Sequence, residues 1–251
     1  MSQPSKAPKR ADQMEQIRLL TDVLSGSQIN PSLPYTPQIA DLLRTAIVSL
    51  KLMPGTPVSE AAIAEVLGLS RTPVREALKD LSVENLVDIF PQAGTLVSPI
   101  RLSLIEQGSF VRSALERANF LDLVDLVTPQ AEQRIAAVVA LQEKALSKRD
   151  VTTFFVHDEA MHRLFFELTN RLPIWSIVQN SKQHVDRARL LLIQDDTSVC
   201  TKAYAEHLKI VDALFSGNRK NLAAALDAHV ASVSVKLSKY VARTHSGMVT
   251  A

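Results

Sequence analysis

The spacing of apolar residues changes character twice along the chain. Near the N-terminus Met14, Ile17, Leu20 and Val23 fall three residues apart, predicting a short helix over 12–25. Ser25-Gly26-Ser27 and the prolines Pro31, Pro34 and Pro37 break it. Ile39, Leu42, Leu43, Ala46, Ile47 and Leu50 then form one helical stripe that stops before Pro54-Gly55. A second, shorter stripe opens at Ser59-Glu60, carries Ile63, Ala64 and Leu67, and ends at Gly68. A third opens at Ser70, a good N-cap, has Pro73 in its first turn, and continues through Val74, Ala77, Leu78 and Leu81. After Asn85 the chain reads LVDIF, PQAG, TLVSP: two short β segments around a turn containing Gly94. Three helices and a hairpin of this size predict a winged helix-turn-helix.

From 104 to 241 the pattern is helical throughout, with helices expected at 103–127, 129–147, 151–169, 173–195, 200–216 and 219–242. The breaks fall at Thr128-Pro129, at Asn170 with Pro173, at Asp195-Asp196 and at Gly217-Asn218. The expected fold class is mainly α, with a winged helix-turn-helix followed by an all-α bundle. The expected divisions are an N-terminal, partly flexible arm over 1–34, a winged domain over 35–99, a helical domain over 104–242, and a flexible tail over 243–251.

Composition narrows the class without naming a function. Of 251 residues, 46% are hydrophobic and 22% charged, which suits a globular chain with a sizeable core and excludes a disordered one. The single cysteine, Cys200, cannot form an internal disulfide and fits a reducing compartment. No apolar run is long enough to span a bilayer, and MSQPSKAPKRADQ lacks the apolar core of a secretory signal. The expectation is a soluble cytoplasmic protein that does not engage a membrane. A net charge of +2 does not by itself point to nucleic acid.

The third short helix carries the first candidate chemistry. On a helical wheel Arg71, Arg75 and Lys79 form one stripe, Glu76, Asp80 and Glu84 a second, and Val74, Ala77, Leu78 and Leu81 an apolar third. The basic stripe suits phosphates and guanine edges, since arginine bonds guanine O6 and N7 bidentately. It also suits a solvated face of intrahelical charge pairs. Residues 36–101 hold six Lys/Arg against seven Asp/Glu, so charge does not decide between these readings.

The segment LKLMPGTPVSEAAIAEVLGLSRTPVREALKDLSVENLVDIFPQAGTLV closely resembles the DNA-binding domain of the GntR family of bacterial transcription regulators. The unbroken Ser70-Arg71-Thr72-Pro73-Val74-Arg75-Glu76-Ala77-Leu78 is its most specific part. The resemblance implies that Arg71, Thr72 and Arg75 contact DNA and that Gly94 lies in the wing. Ala61 and Gln92-Ala93 stand where relatives often carry basic residues, which implies weaker backbone and wing contacts.

The helical region carries the second. Asp158 and His162 are i,i+4 neighbours beside the core stripe of Phe154, Met161, Phe165 and Leu168. His184, His207 and His229 also lie among apolar positions. Four histidines and one aspartate from four helices thus point to one core. They are either hydrogen-bonded core residues or ligands of a metal, and an Asp/His₃ set suits Zn, Ni, Mn or Fe with open positions.

With Arg112 and Glu116 as an early R-x-x-x-E pair, the region resembles the FCD branch of the FadR subfamily. D-x-x-x-H, E-H-x-x-I and A-H stand here as Asp158-Glu-Ala-Met-His162, Glu206-His207-Leu-Lys-Ile210 and Ala228-His229. The resemblance implies one divalent transition metal per chain on Asp158, His162, His207 and His229, and a small carboxylate effector. His184 has no firm place in that ligand set; support behind a ligand, a substitute ligand, an effector contact and a plain core role all stay open. Arg112, Arg187 and Arg189 are candidate effector clamps; a surface salt bridge or an interface is the plainer reading of the last two. A metalloenzyme with Glu159 as base, a redox role for Cys200 and a purely structural metal are the competing readings. The attached DNA reader favours a non-enzymatic regulator: a homodimer on a palindromic duplex operator, by family default a repressor relieved by its effector.

Overall fold

The computed structural model describes residues 10–24, 26, 28–243 and 248–250. The first nine residues of the expected arm over 1–34 and part of the expected flexible tail over 243–251 lie outside the described residues. The chain divides into two units, one running through Ile100 and taking in 248–250, the other running from Arg101.

Ser59 and Gly68 show how local chemistry sets the first unit. The Ser59 hydroxyl accepts from the Ala62 N–H at 3.3 Å and starts the helix that follows. Gly68, at φ +66°, takes the left-handed conformation that ends it. The elements are α1 (Arg10–Leu24), α2 (Tyr35–Val48), α3 (Glu60–Leu67), α4 (Arg71–Val83), β1 (Val87–Phe90) and β2 (Gly94–Val97). The strands pair antiparallel from Val87 opposite Val97 to Phe90 opposite Gly94. Leu20, Ile39, Leu43, Ile63, Val74, Leu78 and Leu81 fill one core.

The helix expected over 12–25 is α1, which is amphipathic and buries Leu20 and Leu24 in that core, packing on α3. Two local expectations are corrected. Pro37 does not break structure but sits in the first turn of α2, where backbone N–H groups have no helical partner to lose. Ser70 occupies the N-cap of α4 yet makes no side-chain cap bond. A capping hydroxyl needs the N–H of the second or third helical residue, and the third here is Pro73, which has none.

Ile100 donates to the Met248 carbonyl at 2.8 Å, so β3 (Ile100–Arg101) pairs with β4 (Val249–Thr250) and residues 248–250 are not frayed. The second unit then runs α5 (Leu102–Leu123), a 3₁₀ turn (Val124–Leu126), α6 (Pro129–Ser147), α7 (Val151–Leu168), α8 (Leu172–Ser181), α9 (Gln183–Asp195), α10 (Ser198–Phe215) and α11 (Arg219–Arg243). Thr128 caps α6 through the Ala131 N–H at 3.2 Å, and Asp150 caps α7 through the Thr153 N–H at 2.9 Å. Phe120, Ile135, Phe165, Trp175, Ile210 and Leu226 belong to its main core.

The single helix expected over 173–195 is two, broken at Lys182. The break is a close-packed point of the unit. Gly108 of α5 backs onto this point so closely that a Cβ there would stand 2.4 Å from the Ser181 carbonyl oxygen. The break turns Lys182 inward, and every residue from Lys182 to Arg189 is buried.

Candidate nucleic-acid interface and metal centre

The apolar stripe of α4 buries Val74, Ala77, Leu78 and Leu81, which leaves Arg71, Thr72, Arg75 and Lys79 exposed on the opposite side. Gly94, at φ +113°, is exposed at the hairpin end, where Gln92 also takes a positive φ of 63°. Two basic residues have carboxylate partners. Lys79 Nζ meets Glu76 at 2.9 Å. Arg75 is held by Glu60 of α3 through two parallel bonds, Nε to Oε2 and Nη2 to Oε1, both 2.9 Å. The expected basic face is therefore present and is partly neutralised by charge pairs.

In the second unit, α7, α10 and α11 bring His162, His207 and His229 together. All three are buried, and one ring nitrogen from each lies within 4.8 Å of the others. The outer face of each ring meets an oxygen. His207 Nδ1 bonds Gln142 Oε1 of α6 at 2.8 Å, and His229 Nδ1 bonds Glu206 Oε2 at 2.9 Å. His162 Nδ1 lies 3.2 Å from Glu116 Oε2 of α5. Gln142 turns its amide nitrogen to the His157 carbonyl, which aims its oxygen at His207. For His207 and His229 these acceptors favour the tautomer with the proton on Nδ1 and the Nε2 lone pair facing inward, as partners behind a metal-bound imidazole do.

Asp158 completes the set. Its Oδ2 accepts from Arg189 Nη2 at 2.8 Å, and its Oδ1 stands 3.3 Å from His207 Nε2. Oδ1 and His207 Nε2 are buried atoms without a hydrogen-bond partner, and such atoms call for an unseen partner. Burial opposes ionisation of Asp158, but Arg189, His207, His162 and Arg112 hold its pKa well below the carboxylate range. Burial pushes the pKa values of His207 and His229 down, against Asp158 and the Glu206 bond respectively. Neutral imidazoles beside an ionised carboxylate are the protonation states a divalent ion requires, so these residues fit the implied metal.

The candidate effector residues separate. Arg112 is buried and donates from Nε to Glu116 Oε1 at 2.7 Å, while its Nη2 reaches Nε2 of His162 at 3.0 Å and of His229 at 3.4 Å. Arg189 packs over the Phe155 ring at 4.9 Å. Arg187 and Arg189 are both buried, which corrects the surface reading of each; the inward face of α9 is polar along its first two turns. His184 lies apart from the three histidines, its Nδ1 accepting from the Arg101 N–H at 3.3 Å. Glu159 is held by Lys182 at 2.7 Å and faces Arg189 at 3.6 Å, so it is not placed as a free base. Burial pushes the Cys200 thiol up to about 11, the opposite of a reactive thiolate.

Residues 36–97 match the bacterial regulatory proteins, gntR family, and residues 109–232 match the FCD domain. The HTH-type transcriptional repressor RspR of Escherichia coli is 30% identical over 208 residues, covering 83% of this chain and 91% of that protein. The chain belongs to the GntR family. As a GntR-family protein with an FCD domain it is a transcriptional regulator, and the matching relatives are regulators rather than enzymes. The probable D-xylose utilization operon transcriptional repressor of Paenarthrobacter nicotinovorans is 28% identical, covering 78% of this chain and 85% of that one. Among solved structures, E. coli McbR/YncC matches with a TM-score of 0.70 at 18% identity, over 83% of this chain and 99% of that one. A putative GntR regulator from Rhodococcus matches at 0.69 and 23%, over 81% and 97%. Both show the fold alone.

Four residues with a part in these sites escaped the sequence reading. Gln142 carries no local signal, because its partner His207 lies 65 residues away. Lys182 and Asp186 carry no motif in the sequence; they are a buried pair at 2.5 Å. Glu60 read only as the opening of α3, although its spacing ahead of an arginine-bearing α4 was visible.

Proposed function

We propose that the chain is a cytoplasmic repressor that binds a palindromic duplex operator as a homodimer and is released by a small carboxylate at a metal in its helical unit. Arg71, Thr72, Arg75 and Lys79 of α4 enter the major groove, and Gly94 lets the hairpin approach the backbone. Asp158, His162, His207 and His229 would hold one divalent transition metal, of the Zn, Ni, Mn or Fe kind. When bound, such an ion supplies a Lewis-acid seat for carboxylate oxygens. Gln142, Glu116 and Glu206 orient the imidazoles, and Arg189 fixes Asp158 so that Oδ1 stays inward. Arg112 faces the same lone pairs as the metal and is placed to take the remaining charge of a carboxylate; Arg187, buried on α9, is a further candidate clamp. His184 serves the start of α5 rather than the ligand set. The observation that carries this reading is the buried pair Asp158 Oδ1 and His207 Nε2, each lacking a hydrogen-bond partner.

The experiment begins with duplexes selected from a random-sequence pool, with affinity read by fluorescence anisotropy. Wild type should bind with a steep fall in affinity as salt rises, and Arg75→Ala should lose the selected duplex while remaining folded. A panel of hydroxy, sugar and aromatic acids should contain one that weakens binding by metal-loaded wild type and leaves His207→Ala unaffected. Wild-type affinity in Arg75→Ala would overturn the groove assignment. A carboxylate response that survives in metal-free His207→Ala would overturn the metal seat.

A further inference from the structure

The bidentate pair between α3 and α4 carries a consequence for how DNA is read. Glu60 takes the Nε edge of the Arg75 guanidinium: Nε–H and one Nη2–H point at its two oxygens, each at 2.9 Å. A guanidinium has five N–H donors in a rigid plane. The Nη1/Nη2 end of the fork is left over, and that is the geometry that bonds guanine O6 and N7 together. Arg75 remains well exposed, with 59% of its side-chain surface open, against 26% for Glu60. The anchored edge therefore faces the protein and the guanidinium stays accessible.

We infer that Glu60 is a specificity-determining residue: it positions Arg75 to read a guanine and penalises its use on phosphate. This rests on the DNA-binding reading above. Two physical effects act together. An unanchored arginine loses rotamer freedom on docking, whereas the Glu60 clamp has already fixed the plane. A carboxylate beside the groove also repels phosphate oxygens, so it weakens binding wherever no base contact compensates. An exposed ion pair with no such role would be nearly neutral in stability and would leave base preference untouched.

The test compares wild type, Glu60→Gln, Glu60→Ala and Arg75→Ala on three probes: the pool-selected duplex, the same duplex with each guanine changed in turn to adenine, and a scrambled duplex. In wild type, one guanine in each half-site should carry a strong preference that Arg75→Ala removes. Both Glu60 variants should lower that guanine-over-adenine ratio about tenfold, close to 1.4 kcal/mol. They should bind the scrambled duplex as tightly as wild type or more tightly. An unchanged ratio in both Glu60 variants overturns the inference, as does a guanine preference that survives in Arg75→Ala. A parallel loss on selected and scrambled duplexes also overturns it, because that marks a damaged domain. If wild type enriches no sequence, the DNA-binding reading falls first, and the inference with it.

Discussion

Asp158 Oδ1 lies 3.3 Å from Nε2 of His207, with both side chains excluded from solvent. The pair is an ionised carboxylate facing a neutral imidazole, and each protonation state follows from its surroundings. Arg189 holds Asp158 charged despite its burial, while burial keeps His207 uncharged despite the aspartate. Such an arrangement is costly unless a cation binds both atoms.

Acid should destabilise the metal-free helical unit. His207 and His229 have folded pKa values below the ordinary one, mainly through burial. Unfolded histidines titrate near about 6.5, so below that pH the unfolded chain binds the extra protons and stability falls. Above it the contribution is fully present. Chelator-treated protein should therefore show a lower urea midpoint at about pH 5.5 than at about pH 8, and His207→Gln should flatten the difference. Equal midpoints in wild type at both pH values would contradict the buried neutral imidazoles.

Gly108 should not tolerate a methyl group. A Cβ there meets the Ser181 carbonyl at 2.4 Å and Val185 at 3.2 Å, and the first of these is backbone with little freedom to yield. Gly108→Ala should cost about 1–3 kcal/mol of stability through overpacking, despite the helix propensity alanine adds. A urea midpoint equal to or above wild type would show that α5 and the α8–α9 break separate easily.

Cys200 should be chemically silent in the folded chain. It is buried with Ala145, Phe154, Ile193 and Ala203, and its thiol is pushed up to about 11. A maleimide or disulfide reagent should label it slowly at neutral pH and quickly in urea. Rapid labelling of native protein would reopen a redox role.

The first unit was legible in the sequence because its signals are local. Ser59 and Gly68 bound α3 within a few residues of where the chain places them, and SRTPVREAL is one helix start, with Ser70 at the N-cap and Arg71 to Leu78 inside α4. The Asp158–His162 spacing was legible for the same reason, since i,i+4 residues share a helix face. The break at Lys182 was not, because no proline or glycine marks it and what packs against it is a glycine 74 positions earlier. Gln142 and Glu60 were missed on the same ground: each acts on a partner in another helix, and periodicity reports only which face a residue takes. The neutralisation of Arg75 by Glu60 likewise needed the fold, since a wheel of α4 alone shows the stripe and not its partner.

The most direct test of the account is elemental analysis of untagged protein purified without chelator, beside Asp158→Ala and His207→Ala. The account predicts about one transition metal per chain in wild type and loss of it in both variants, with helical content retained in each. A folded wild type that carries no metal, and takes up none from Zn, Ni, Mn or Fe(II) salts, would contradict the metal seat and reduce its histidines to core residues.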